Sequence, residues 1–225
     1  MVSQRRRAAP DSRARLVAAA AQEFAARGFD GAKVDRIAAR ARVNKAMVYY
    51  HFKNKAALYR DILRDVFGTV GELVEGARAA GGAPEHQLRA FIVAIAEGAA
   101  TRPHFPAIWL REMAEGGRHL DDSVILQLRR VMQVLGAILA DGQRAGEFRA
   151  VNPFIAQIGI VAPLLLFTAT APVRERFREL APYPVADIPR EAIIAHVQTM
   201  TLAAIAAEGP SPARRRASRS RRQRS

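Results

Sequence analysis

The chain has 225 residues, half of them hydrophobic, enough to bury a sizeable core in one large domain or in a small domain joined to a larger one. It contains no cysteine, which excludes disulfides, thiolate zinc sites and cysteine nucleophiles. The net charge of +14 is unevenly placed: residues 1–65 hold 15 Lys/Arg against 6 Asp/Glu, residues 66–210 hold 13 against 15, and residues 211–225 hold 7 Arg and no acid. This distribution implies a polyanionic partner for the two ends and something different for the middle.

The opening Gln4-Arg5-Arg6-Arg7 leads into polar residues and not into an apolar run, so no signal peptide is expected. Residues 1–10 read as a basic, disordered arm. Asp11-Ser12 is a candidate cap for a helix to about residue 27, with Leu16, Ala20 and Phe24 on one stripe, and Gly28 ends it. A second short helix over 34–41 buries Val34, Ile37, Ala38 and Ala41. After Arg42-Val43, Asn44 caps a third helix, Lys45 to Phe52. Asn54 caps a fourth, from Lys55 to about residue 80, with Leu58, Ile62, Val66 and Val70 on one face.

Gly81-Gly82-Ala83-Pro84 is a break. Helices then follow over 85–100, after Pro103 and Pro106 as far as Gly116-Gly117, and over 121–145, where Asp121 and Asp122 suit the helix dipole. Asn152-Pro153 opens an uncharged stretch to Val173, long enough to be considered as a membrane span. Gln157, Gly159, Pro163 and two threonines interrupt it and no aromatic anchors flank it, so a buried helix at a subunit interface is the expectation. A loop with Pro172, Pro182, Pro184 and Pro189 precedes a last helix over 190–207. Alternating β-branched runs are absent, so the fold class is all-α. The Arg/Ser-rich segment 209–225 cannot bury a core and is expected to be a disordered tail, adding non-specific DNA affinity at most.

Two short helices joined by a tight turn, in a basic setting, form the helix-turn-helix layout, whose second helix enters the major groove. Lys45, Ala46 and Met47 then lie where base edges are met: Lys45 as a cation, Ala46 as a residue that permits close approach, and either apolar side chain against a thymine methyl. Val48 and Phe52, four apart, read as core. Lys53 and Lys55 flank the start of the fourth helix, itself a phosphate site.

The run Phe24-Ala25-Ala26-Arg27-Gly28-Phe29, then Val34-Asp35-Arg36-Ile37-Ala38, then Lys45-Ala46-Met47-Val48-Tyr49-Tyr50-His51-Phe52-Lys53-Asn54-Lys55-Ala56-Ala57-Leu58 resembles the TetR/AcrR family of bacterial transcription regulators. The matching region, about residues 12–63, covers roughly a quarter of the chain. The resemblance implies a helix-turn-helix DNA-binding domain at 11–55 and a helical ligand-binding and dimerisation domain at 56–208, with helix 55–80 bridging them. It implies that Tyr50 and His51 approach phosphate, that Tyr49 lies near base edges or backbone, and that the last two helices form the dimer face. Two departures stand out: Lys33 opens the second helix where the family has Thr or Ser, and Arg42 occupies a turn position that often carries Gly. Both add charge to the basic rim, which Asn44 completes as the cap.

In the middle region His104, Phe105, Trp109, Glu112, Met113, Phe148 and Phe167 are candidate pocket residues, with Arg111 a further polar candidate. The five histidines, His51, His86, His104, His119 and His196, fall in no metal-binding spacing, and there is no phosphate loop or nucleophile elbow. No enzyme activity, cofactor or metal is expected. The expected partners are double-stranded operator DNA, a small apolar effector and a second copy of the chain, in the cytoplasm and without membrane attachment. The rival reading is a basic nucleic-acid-packaging protein with little sequence preference and no ligand.

Overall fold

The computed structural model describes residues 8–207, with side-chain surroundings from Ser12 onward. Ten helices and no strand make up the described residues, apart from one isolated bridge between Phe148 and Ala206. The first four are α1 (Ala8–Gly31), α2 (Val34–Ala41), α3 (Lys45–Phe52) and α4 (Lys55–Ala79). Helix α1 starts inside the stretch assigned to a basic arm, and Ser12 is buried rather than standing at a helix end as a cap. The rest of that arm, and the tail 209–225, lie outside the described residues. Gly28 breaks α1, as expected, with a φ of 68° that glycine takes at little cost.

Leu16, Ala20 and Phe24 of α1 pack with Ile37, Val48, Phe52 and Leu58 in the core of this N-terminal head. Val48 and Phe52 are buried, which is what fixes the orientation of α3; each such burial contributes about 1.5–3 kcal/mol.

The remaining helices form the body: α5 (Pro84–Thr101), α6 (Phe105–Ala114), α7 (Asp122–Arg144), α8 (Pro153–Ala169), α9 (Ala171–Arg176) and α10 (Arg190–Ile205). Helix α4 starts in the head and runs along α5 and α7, so one helix belongs to both cores. At Gly98 the approach of α5 to α4 leaves no room for a side chain, since a Cβ there would lie 2.4 Å from Val70 Cγ2.

Asn152 caps α8 as the sequence suggests, accepting from Phe154 N–H at 2.8 Å, and Asp121, read from sequence only as an acid suited to the dipole, caps α7 by accepting from Val124 N–H at 3.2 Å. The uncharged stretch beginning at Pro153 is not one helix. It stops at Thr170 after 17 residues and restarts as the short α9, an element the sequence reading assigned to a loop. Helix α7 is long and apolar enough to cross a membrane by length and composition, a test that core helices also pass; it buries Val124, Val131, Leu135 and Ile138 on one face.

A buried ion pair joins α1 to α2. Glu23 is 1% exposed and accepts from Arg36 Nε at 2.5 Å, while Arg27 lies 3.4 Å away. Burial alone would push the Glu23 carboxyl up; the hydrogen bond and charge of Arg36, with Arg27, more than offset this and hold it below the ordinary 4.5. A carboxylate held low contributes stability above its unfolded pKa and loses it as pH falls through the folded value. Glu23→Gln is therefore expected to cost about 1–3 kcal/mol at pH 7 and to lose less further stability than the parent chain between pH 5 and pH 3, read from melting temperatures across that range.

Candidate nucleic-acid interface and ligand cavity

The turn between α2 and α3 is closed by Arg42, in the left-handed region at φ 54°, whose N–H donates to Ala39 O at 3.1 Å; Val43 N–H donates to Ala38 O at 3.1 Å. A non-glycine residue there costs roughly 1–2 kcal/mol. Asn44 then caps α3, its Oδ1 accepting from Ala46 N–H at 2.9 Å. Lys33 opens α2 without any side-chain cap, as its chemistry requires.

With Val48 and Phe52 inward, the exposed face of α3 consists of Lys45, Ala46, Tyr49 and Tyr50, with Lys53 just beyond it. Tyr49 is 49% exposed and Tyr50 76%, a large aromatic surface that the subunit itself leaves uncovered. Lys33, Arg42 and Lys53 are exposed and enter no ion pair among the described residues. Together these residues present a cationic and aromatic surface suited to phosphate and base edges.

Three candidate residues have other duties. Lys55 is turned inward: its Nζ donates to Phe29 O at 2.8 Å and Ala32 O at 3.1 Å and sits 4.4 Å from the Phe29 ring centre. It clamps the α1–α2 connection and is not a free phosphate ligand. His51 Nε2 lies 2.9 Å from Ser12 Oγ, which anchors α3 to α1. Met47 is half-buried against the head core. Sequence spacing placed all three near the surface, but only the fold shows what stands opposite them.

Lys45 is exposed but not free, since its Nζ pairs with Asp35 Oδ1 of α2 at 2.8 Å. That hydrogen bond and charge raise the lysine above its ordinary value. Any anion that approaches Lys45 would have to compete with this carboxylate.

In the body, a cavity of about 500 Å³ lies between α4, α5, α6, α7 and α8. Phe105, Trp109 and Met113 of α6 line it, with Phe67, Met132 and Gln157 among residues the sequence did not point to as pocket residues. Phe67 meets Phe105 and Trp109 edge-on, at 5.2 and 4.8 Å between ring centres.

Four candidates lie elsewhere. His104 borders a second groove between α1, α4, α5 and α6, which mixes apolar residues with Arg13, Asp61, Arg64 and Asp65. Phe148 packs onto Gly142, where a Cβ would be 1.9 Å from its ring, so it is a packing residue. Phe167 lies under Arg174, 3.9 Å from its guanidinium carbon. Glu112 is 1% exposed and fully engaged: it accepts from Tyr59 OH at 2.9 Å and His119 N–H at 2.8 Å, and lies 2.9 Å from His119 Nδ1. Burial first, and then the Glu112 carboxylate, raise the Tyr59 phenol and keep its proton in place. Glu112, Glu115 and His119 bring ligand-type atoms within 4.8 Å of one another, but Glu115 is paired with Arg118 and Glu112 with Tyr59 and His119, so the cluster reads as an internal hydrogen-bond network.

A helix-turn-helix head with a cationic, aromatic reading face, on a helical body with an apolar cavity, defines a class of DNA-binding transcription regulators. Comparison with known proteins identifies the family. The family described as bacterial regulatory proteins, tetR family, matches residues 16–62, and the one described as tetracyclin repressor-like, C-terminal domain, matches residues 81–164. The chain belongs to the TetR family.

The HTH-type transcriptional repressor NicS of Pseudomonas putida is 28% identical over 140 residues, which is 61% of this chain and 66%, just under two thirds, of that protein. A tetR-family regulatory protein from Rhodococcus RHA1 shares the fold with a TM-score of 0.70 at 22% identity, over 88% of this chain and 98% of that one. The regulator FadR from Bacillus subtilis, solved in complex with stearoyl-CoA, does so at 0.65 and 18% identity, over 84% and 97%.

If Lys45 is the groove contact, removing its competitor strengthens binding. Asp35→Ala is expected to tighten operator binding about three- to tenfold and Lys45→Ala to weaken it at least tenfold, in fluorescence anisotropy titrations at fixed salt.

Proposed function

We propose that the protein is a homodimeric repressor that leaves a two-fold symmetric operator when a small apolar molecule enters the body cavity. The observation that carries this reading is the position of α6. Its Phe105, Trp109 and Met113 line the cavity, while its Glu112 reaches Tyr59 and His119, and the His119 ring lies 3.9 Å from that of Phe29 in the head. A ligand that displaces α6 therefore acts on the head directly. To empty the operator almost fully it must prefer the released conformation by about 5 kcal/mol. NicS, a relative named as a repressor, and FadR, solved in complex with stearoyl-CoA, support a repressor that responds to a small molecule.

The dimer face is assigned to α8 and α10. Ile155 and Leu166 of α8 are 65% and 55% exposed, Met200 of α10 is 58% exposed, and the two helices pack side by side. Gly159, on the same outward face of α8, has nothing within 4 Å of its Cβ position in the subunit, so its own fold does not require it, whereas a second helix packed closely does. Two subunits then present two α3 helices to half-sites about one helical turn, roughly 34–36 Å, or a multiple apart.

Selection of bound genomic fragments with the purified protein, followed by footprinting, tests the reading. A short site with two-fold symmetry that survives excess random DNA is expected; broad recovery without a shared site would favour a packaging protein instead. Leu166→Arg, which costs the subunit little because over half of the side chain is exposed, is expected to yield monomers in analytical ultracentrifugation and to weaken binding to that site at least 100-fold, through loss of bivalency.

A further inference from the structure

We propose that Arg42 and Lys53 are a pair of phosphate clamps at the two ends of α3, and that the chain keeps two strained turns in order to place them. This rests on α3 entering the DNA groove and is independent of the ligand and dimer readings above.

Arg42 and Lys53 are the two non-glycine residues with positive φ among the described residues; the other positive-φ positions there are glycines. Arg42 follows α2 at φ 54° and ψ 47°, in the left-handed region that glycine occupies at less cost. Lys53 follows α3 at φ 62° and ψ −47°, and across it Asn54 N–H donates to Phe52 O at 2.5 Å. That bond closes a γ-turn with positive φ at its centre, the rare and strained form. One helix of 8 residues thus has a strained turn at each end, and both strained residues are long cations.

Neither cation is used inside the subunit. Arg13, Arg27, Arg36 and Lys45 are ion-paired and Arg40 donates to Gln22. The side chains of Arg42 and Lys53 are exposed and have no hydrogen-bond or ion-pair partner among the described residues. The turns do not need these side chains either. Arg42 N–H donates to Ala39 O and Lys53 N–H to Tyr49 O, both at 3.1 Å, and glycine keeps a backbone N–H. Strain that no contact within the fold offsets is kept for a contact outside it. The spacing fits DNA. Helix α3 spans about 12 Å, about the width of the major groove, so cations just beyond its two ends stand at the two phosphate walls. Contacts of this kind position the protein and carry no sequence information.

The test compares the full-length protein with Arg42→Gly, Lys53→Gly and Lys45→Ala, and with Arg42→Lys as the variant that keeps the charge. Fluorescence anisotropy on the selected operator and on a random-sequence duplex, over a range of salt, is combined with melting temperatures. Each glycine variant is expected to melt at or above the parent and to bind both duplexes about tenfold more weakly. Its plot of log K against log salt is expected to be shallower by about 0.9 per bound subunit, while Arg42→Lys keeps the parent slope. Unchanged affinity and slope in the glycine variants overturn the clamp. Weakening on the operator alone overturns it too, because a phosphate contact acts on any sequence. A melting temperature several degrees below the parent would show that the fold itself needs the cation, and overturns the exchange of stability for DNA contact. If Lys45→Ala also leaves operator binding unchanged, α3 is not the groove helix, so that failure is distinguishable from failure of the clamp.

Discussion

The buried carboxylate of Glu112 is the constraint on which the joining of the two halves depends. A carboxylate at 1% exposure is costly unless its oxygens are filled, and here they are filled from two directions: by the Tyr59 hydroxyl of α4 and by the backbone and ring of His119 after α6. Those two partners also close an aromatic cluster with the head, because Tyr59 meets Phe24 and Phe29 edge-on at 4.8 and 5.2 Å between ring centres. On the surface above, Arg118 bridges Asp30 of α1 and Glu115, which follows α6. Head and body thus meet through a satisfied polar node set in aromatic packing, and such a node has few arrangements in which all its groups remain paired.

In the proposed mechanism this junction links the cavity to the face of α3. Packed interfaces shift between discrete arrangements more readily than they deform by degrees, so a change in the seat of α6 would be passed on as a rigid displacement of the head. The head can move as a unit because its own connections are stiff: the Glu23–Arg36 pair ties α1 to α2, Lys55 clamps the chain between them, and His51 fixes α3 to Ser12. The reading face itself is cationic and aromatic, a composition that supplies affinity through phosphate and leaves discrimination to the few side chains at base edges.

Much of this was readable from the residues alone. The apolar spacing and the caps Asn44, Asn54 and Asn152 placed the helices, because capping chemistry is local and depends only on neighbouring amides. Val48 and Phe52 were assignable to the core by their spacing. What sequence could not give was the other partner of each side chain. Lys55 and His51 look like phosphate contacts, and Glu112 like a pocket residue, until carbonyls, a serine and a tyrosine from distant positions stand opposite them. The cavity was half-readable for the same reason: the α6 residues shared a stripe, whereas Phe67, Met132 and Gln157 join it only through tertiary packing. The turn of helix at α9 was hidden by proline, which is disfavoured in a helix interior but accepted in the first turn, where Pro172 sits.

The most direct test of the account is the distance between the two reading heads. The chain has no cysteine, so Ala39→Cys, at an exposed position of α2, places one spin label in each subunit. Pulsed electron resonance on the proposed dimer would then be compared bound to its selected operator, free, and with a small apolar molecule such as 1-decanol present at a concentration that alters the emission of Trp109, which lines the cavity. The account predicts one narrow distance on the operator and a shift to a different one when the cavity is filled. A distance that stays the same while Trp109 reports an occupied cavity would contradict it.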